Sequence, residues 1–249
     1  MTYSGVFFDL YGTLLIYGDM ETAWAEWLEV FYASLCRRGL TVSKTAFAET
    51  CNNFFARAEP ESDGDNLTVY ERRIRAHCQA IGLHLDTEAL RNTADETAQS
   101  WQKYITPDPD AIPVLTELAK TKKLALISDF DHPPHLYKLL KNFRLEPFFQ
   151  SVIVSGEVGI TKPDPGIFKP ALEQTGVEPN RVIYVGDTIK DVQGALAAGL
   201  TPVLIKRDDD NKTRMDYSNG GVFDGYTDAD RNHTARVISS LKTLIEIAG

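Results

Sequence analysis

Five short apolar runs, at residues 5–8, 124–127, 151–154, 182–185 and 202–205, lead into polar or glycine residues with no sign of alternation. An unbroken run of this length has both faces covered, as a parallel strand buried between helices does, whereas an antiparallel strand with a wet side would alternate. Between and around the later runs lie stretches of helical periodicity, at residues 110–120, 135–143, 167–175 and 190–198. Strands that alternate with helices predict an α/β fold with a doubly wound, Rossmann-like parallel sheet, which binds ligands at the carboxyl ends of its strands.

From about residue 16 to residue 106 the strand pattern is absent. Trp24, Trp27, Leu28, Phe31 and Leu35 recur at helical spacing, as do Phe47, Cys51, Phe54 and Phe55. Tyr70, Ile74, Cys78 and Ile81 repeat the pattern, followed by Leu90, Ala94, Thr97 and Trp101. Four amphipathic helices predict an all-helical cap at 16–106, inserted into a core made of residues 1–15 and 107–249. The turn Pro107-Asp108-Pro109 returns the chain to the sheet. Residues 207–234, with three consecutive aspartates and paired glycines, read as a long surface loop. A short strand at 237–238 and a helix carrying Leu241, Leu244 and Ile245 follow it.

Charge narrows the partners. The net charge of −9 over 249 residues lacks the basic footprint that nucleic acid or an anionic membrane surface needs, so neither is expected. Cys36, Cys51 and Cys78 form neither an even framework nor a metal-spaced cluster, as expected of free thiols in a reducing compartment. The first apolar run is too short for a signal peptide or a membrane span, and the expected location is the cytoplasm. The expected state is a monomer or a homodimer.

Four strand ends carry reactive residue types: Asp9 after the first run, Ser128 and Asp129 after 124–127, Lys162 in the loop beyond Val154, and Asp187 after 182–185. In a parallel sheet these tips converge on one edge. If a helix begins near Thr188, Asp187 and Asp191 meet at its first turn and suit a hard divalent cation with oxygen ligands. Taken alone, the commoner meaning of such a pair is an N-capping acid followed by a solvated one. Lys162 is pinned on its loop by Pro163-Asp164-Pro165, where Asp164 can cap a helix starting at Pro165.

Together these strings resemble the haloacid dehalogenase-like (HAD) hydrolase superfamily. The first motif matches Phe8-Asp9-Leu10-Tyr11-Gly12-Thr13-Leu14, the second Ser128, the third Lys162-Pro163-Asp164-Pro165 and the fourth Gly186-Asp187-Thr188 with Asp191. The resemblance implies a phosphatase of small phosphorylated metabolites with Asp9 as a nucleophile that forms an aspartyl-phosphate. It implies that Ser128 and Lys162 bind the transferring group, with Asp129 beside them, and that Lys162 offsets its charge. It also implies a Mg2+ ion held by Asp9, the backbone carbonyl of Tyr11 and Asp187, with Asp191 binding directly or through water. An insertion after the first motif is similar to the helical cap of one large subgroup, which closes over the site and selects substrate.

Tyr11 departs from the phosphatase pattern, which places there an aspartate that protonates the leaving alcohol. A tyrosine, with an ordinary pKa of about 10, is a poor base near neutrality. Its presence is similar to the 2-haloacid dehalogenase branch, where halide leaves without a proton and no metal is used. Asp187 and Asp191 weigh the other way, since without a cation they would crowd the nucleophile with like charge. A member that has lost turnover and binds a phosphorylated ligand or a protein is a third reading. Asp129, His132, His135 and Glu157 are candidates for a substitute acid. In the cap, nine basic against fourteen acidic residues over 18–106 argue against a large polyanionic substrate, and Arg72, Arg73 and Arg75 read as a solvated helix face.

Overall fold

A computed structural model describes residues 2–62, 64–207 and 235–249. The chain divides into two compact units: Gly18–Ile105, and a unit built from the residues before and after that segment. The expected loop at 207–234 lies outside the described residues except for Arg207.

The larger unit holds a six-stranded parallel sheet. In chain order its elements are β1 (Gly5–Phe8), α5 (Ala111–Leu118), β4 (Lys123–Ser128), α6 (Pro133–Asn142), β5 (Ser151–Val154) and α7 (Ser155–Val158). After these come α8 (Lys169–Thr175), β6 (Val182–Gly186), α9 (Ile189–Ala197), β7 (Thr201–Ile205), β8 (Arg236–Ile238) and α10 (Thr243–Ala248). The spatial order is β5-β4-β1-β6-β7-β8, so the chain winds outward from β1 to one edge and then returns to build the other. The point of reversal lies beside β1, where such sheets open a crevice at their carboxyl ends. Register places Phe8 opposite Leu126 on one side and Val185 on the other, so Asp9, Ser128 and Asp187 leave three neighbouring strand tips.

Burial explains the unbroken apolar runs. Phe7, Ala125, Ile127, Ile153, Val182 and Tyr184 form one face of the sheet, covered by Ile167, Phe168 and Ala171 from α8 and the turn before it. Residues 165–168 form a 3-10 turn, and α8 starts only at Lys169, two residues later than the periodicity predicts. Asp164 still caps this turn, its side chain accepting from the Gly166 amide at 2.8 Å.

The smaller unit contains four helices: α1 (Met20–Cys36), α2 (Lys44–Thr50), α3 (Val69–Ala80) and α4 (Thr87–Gln102). Trp27, Phe31, Phe47, Phe54, Tyr70, Ile74 and Leu90 fill its core, and Trp27 Nε1 donates to the Tyr70 hydroxyl at 2.7 Å. Three expectations need correction. Short strands β2 (Leu15–Tyr17) and β3 (Ile105–Pro107) pair as a two-stranded ribbon where no strand was expected, because three-residue strands are too short to show a period. The second helix stops at Thr50. Cys51 to Ala56 continue as turns, with Asn53 at φ 58°, so Phe54 and Phe55 reach the core from a turn rather than a helix face. Arg72 is buried instead of solvated: Nη1 donates to Leu67 O at 2.7 Å and Nη2 pairs with Glu59, because the segment before α3 folds back over it.

His77 on α3 lies buried among Phe31, Phe47 and Phe54. Burial, and then the Arg57 guanidinium beside its ring, pull its pKa down to about 4. A histidine held neutral in the folded state and ordinary in the unfolded one gives stability that is present above pH ~6.5 and lost as pH falls through 4. His77→Gln should flatten this acid limb by about 2 kcal/mol, read as the pH dependence of the urea midpoint between pH 7 and 4.

Candidate functional site

The polar cluster grows from three strand tips and one loop. Asp9 follows β1 directly, and its amide donates to Val185 O at 2.8 Å, which ties the residue to the end of β6. The chain then turns sharply: Leu10 O accepts from Thr13, Leu14 and Leu15, and Gly12 adopts φ +79°. A Cβ at Gly12 would lie 2.0 Å from Asp187 Oδ2, so the turn requires glycine both for its backbone and for the space that the carboxylate fills. Gly186 makes room in the same way, since a Cβ there would meet Asp191 Cγ at 2.3 Å.

Asp191 is not the solvated acid that such a pair, taken alone, would most often supply. Thr188, not Asp187, caps α9, and Asp191 is the third residue of a reciprocal capping box. Its Oδ2 accepts from the Thr188 amide at 3.0 Å and hydroxyl at 2.6 Å, and its Oδ1 from Lys162 Nζ at 2.8 Å and Tyr184 Oη at 3.0 Å. Four donors fill the acceptor sites of this carboxylate. Asp191 is therefore buried and fully engaged rather than solvated, and the signal for this was the Thr-x-x-Asp spacing.

Lys162 enters from the loop between α7 and the 3-10 turn. Its backbone amide donates to both oxygens of Asp129 at 3.2 Å, and its ammonium reaches Asp9 Oδ1 at 2.7 Å. Asp9, Lys162, Asp187 and Asp191 are all at most 7% exposed. One oxygen from each of Asp9, Asp187 and Asp191 falls within 4.8 Å of the other two. Two of these buried carboxylates, Asp9 and Asp191, thus share one ammonium. Burial raises Asp9 well above the ordinary carboxylate range; Lys162 opposes this, while Asp191 and Asp187 add to it. Burial would lower Lys162, but Asp191 and then Asp9 outweigh it and hold the ammonium charged. Burial also raises Asp191, and the charge and hydrogen bonds of Lys162, with those of Thr188, reverse the shift. These grouped carboxylates offer hard oxygen donors that suit a small dication, and Asp9, Asp187, the Tyr11 carbonyl and, directly or through water, Asp191 are the residues that would hold it.

Ser128 ends β4, and its buried hydroxyl has no hydrogen-bond partner among the described residues. A buried hydroxyl in this state can donate to a water or a ligand that reaches it. Asp129, half-buried next to it, is raised by desolvation against the pull of Lys162. Tyr11 stacks its ring on Phe130 at 5.1 Å, and burial, then the Asp9 carboxylate, push its phenol up. Of the alternative acids, His132 and His135 are buried at the start of α6, and Glu157 accepts from the exposed Tyr137 hydroxyl at 2.9 Å. Two further residues were not expected. Tyr184, inside an apolar run, places its hydroxyl on Lys162. Arg207 donates to Gly12 O at 2.6 Å, to Thr13 O at 2.7 Å and to Asp108 Oδ2 at 2.6 Å, which fastens the turn after Asp9.

Comparison with known proteins agrees with this arrangement. A glyceraldehyde 3-phosphate phosphatase of Methanopyrus kandleri is 38% identical over 106 residues, 42% of this chain and 45% of that protein. A phosphoserine phosphatase of Thermus thermophilus is 42% identical over 101 residues, 40% of each chain. The chain thus matches less than half the length of these two relatives. The crystal structure of a HAD phosphatase from Thermococcus onnurineus superposes with a TM-score of 0.65 at 26% identity, covering 99% of this chain and 98% of that one. The model of the haloacid dehalogenase-like hydrolases matches residues 3–199, and that span includes Asp9, Ser128, Lys162, Asp187 and Asp191; the chain belongs to this family of hydrolases.

Proposed function

We propose that the protein is a Mg2+-dependent phosphatase of a small phosphorylated metabolite, acting through an aspartyl-phosphate on Asp9. The observation that carries this reading is the group of three buried carboxylates, two of which share the Lys162 ammonium. A metal-free site has no use for Asp187 against the nucleophile, whereas a site for a dication and a phosphoryl group needs it.

In the proposed reaction a carboxylate oxygen of Asp9 attacks phosphorus and the bond to the leaving oxygen breaks. Water then attacks the phosphorus of the aspartyl-phosphate, freeing Asp9 and inorganic phosphate. Lys162 donates toward the transferring group while it holds Asp9, and the Ser128 hydroxyl supplies a further donor. The dication, when bound, supplies positive charge that lets an anionic phosphoryl group approach an anionic nucleophile. Tyr11 does not act as a base, because its phenol is raised further above neutrality. The leaving oxygen therefore departs without a strong acid at position 11, which favours substrates with good leaving groups.

The stacked Tyr11–Phe130 pair beside Asp9 is the observation that favours a second reading, displacement of halide from a 2-haloacid. One experiment separates the readings: phosphate release from a panel of small phosphoesters with Mg2+ and with chelator, run beside halide release from 2-haloacids. Phosphate release that stops on chelation, and is fastest for aryl esters, is the expected result. Halide release that survives chelation would replace it. Ligand binding without turnover, with phosphatase activity appearing in Tyr11→Asp, would mark a member that retains the site but has lost its acid.

A further inference from the structure

We propose that Tyr184 is a positioning residue for Lys162: its buried hydroxyl, held between Lys162 Nζ, Asp191 Oδ1 and Ile127 O, fixes the direction in which the ammonium meets Asp9. This rests on the phosphatase reading for its kinetic consequence, but not for its geometry.

An ammonium has three N–H bonds and can otherwise spin about its Cε–Nζ axis. Two of them are taken by Asp9 Oδ1 at 2.7 Å and Asp191 Oδ1 at 2.8 Å. The third has a choice between Tyr184 Oη at 3.2 Å and Ile127 O at 3.5 Å, and only the first is a normal hydrogen-bond length. The tyrosine hydroxyl accepts that proton and donates its own to Asp191 Oδ1 at 3.0 Å or Ile127 O at 3.2 Å. Lysine, tyrosine and aspartate therefore close a ring of hydrogen bonds in which every member fixes another.

The phenol itself cannot drift. Tyr184 stands on β6 in register with Phe7 of β1, fully buried, with the Phe168 ring edge-on at 4.8 Å. The sheet thus supplies a rigid rod ending in one oxygen, and a phenylalanine of the same shape would fill the core equally well. What phenylalanine would not do is hold the lysine. A phosphoryl group arriving at Asp9 competes for the same ammonium, and an ammonium already oriented loses less freedom when it binds.

The test uses Tyr184→Phe in the full chain, with Leu200→Ala as a variant of the same apolar cluster that touches none of these atoms. The 1H–15N signal of the Lys162 ammonium, assigned by through-bond correlation to the Lys162 side chain, should be rotationally restricted in wild type and shifted or freed in Tyr184→Phe. With Mg2+ and the best phosphoester, kcat should fall about tenfold in Tyr184→Phe with KM within twofold, while Leu200→Ala loses melting temperature and keeps kcat. Wild-type kcat with an unshifted ammonium signal would overturn the proposal, and so would an equal loss of kcat in Leu200→Ala. If Tyr184→Phe does not fold, the wild-type spectrum still decides: a restricted ammonium with a through-space contact to the Tyr184 ring supports the proposal, and a freely rotating ammonium or one lacking that contact refutes it. If wild type hydrolyses no phosphoester, the phosphatase reading fails while the ammonium measurement still judges Tyr184.

Discussion

Lys162→Met should be the most damaging single exchange in the core. It removes the ammonium that pairs with Asp9 and Asp191, and leaving those buried charges uncompensated costs about 3–5 kcal/mol, a large part of the stability of a domain. The carboxylates would answer by taking up protons. An acid whose folded pKa is raised gives stability that is present below its unfolded value and lost as pH rises, so the variant should unfold progressively from pH 5 toward 8. Mg2+ should restore more of the melting temperature in Lys162→Met than in wild type, because it would replace the missing charge. Turnover should stay low even when the fold is restored. A melting curve that neither falls with rising pH nor responds to Mg2+ would show that the acids are compensated in some other way.

Asp9→Asn should separate catalysis from stability in the opposite sense. Phosphate release should fall by on the order of a thousandfold or more, since the amide is not a nucleophile and no neighbouring group can take its place. Stability in chelator should be unchanged or higher, because one of three crowded carboxylates has become neutral while Lys162 still pairs with Asp191. The rise in melting temperature that Mg2+ gives the wild type should shrink. A variant that keeps wild-type turnover would exclude Asp9 as the nucleophile.

The fold was legible because both faces of the sheet are covered, so each strand declares itself as an unbroken apolar run. The site was legible for a related reason: a parallel sheet gathers its carboxyl ends, so Asp9, Ser128 and Asp187 could be brought together without knowing a single contact. What escaped was tertiary. Tyr184 lies inside one of those runs, where its ring reads as packing and its hydroxyl is invisible, and it becomes functional only through Lys162, 22 residues away. Arg72 could not be placed on a buried face from the helix period, because what covers it is the irregular segment before α3. For Asp191 the sequence did carry a sign against the solvated alternative, since Thr188 three residues earlier marks it as the third residue of a capping box.

Arg207 closes a span of 195 residues to bind the nucleophile turn, and it does so through the carbonyls of Gly12 and Thr13 rather than through any side chain. Its grip is blind to residue identity. The turn can therefore exchange the side chain at position 11 while its backbone stays anchored, so that aspartate, tyrosine or another residue can be tried there on an unaltered frame. In such a protein the chemistry at one side chain is free to change long before the architecture that presents it, and Tyr11 is what such an exchange would look like.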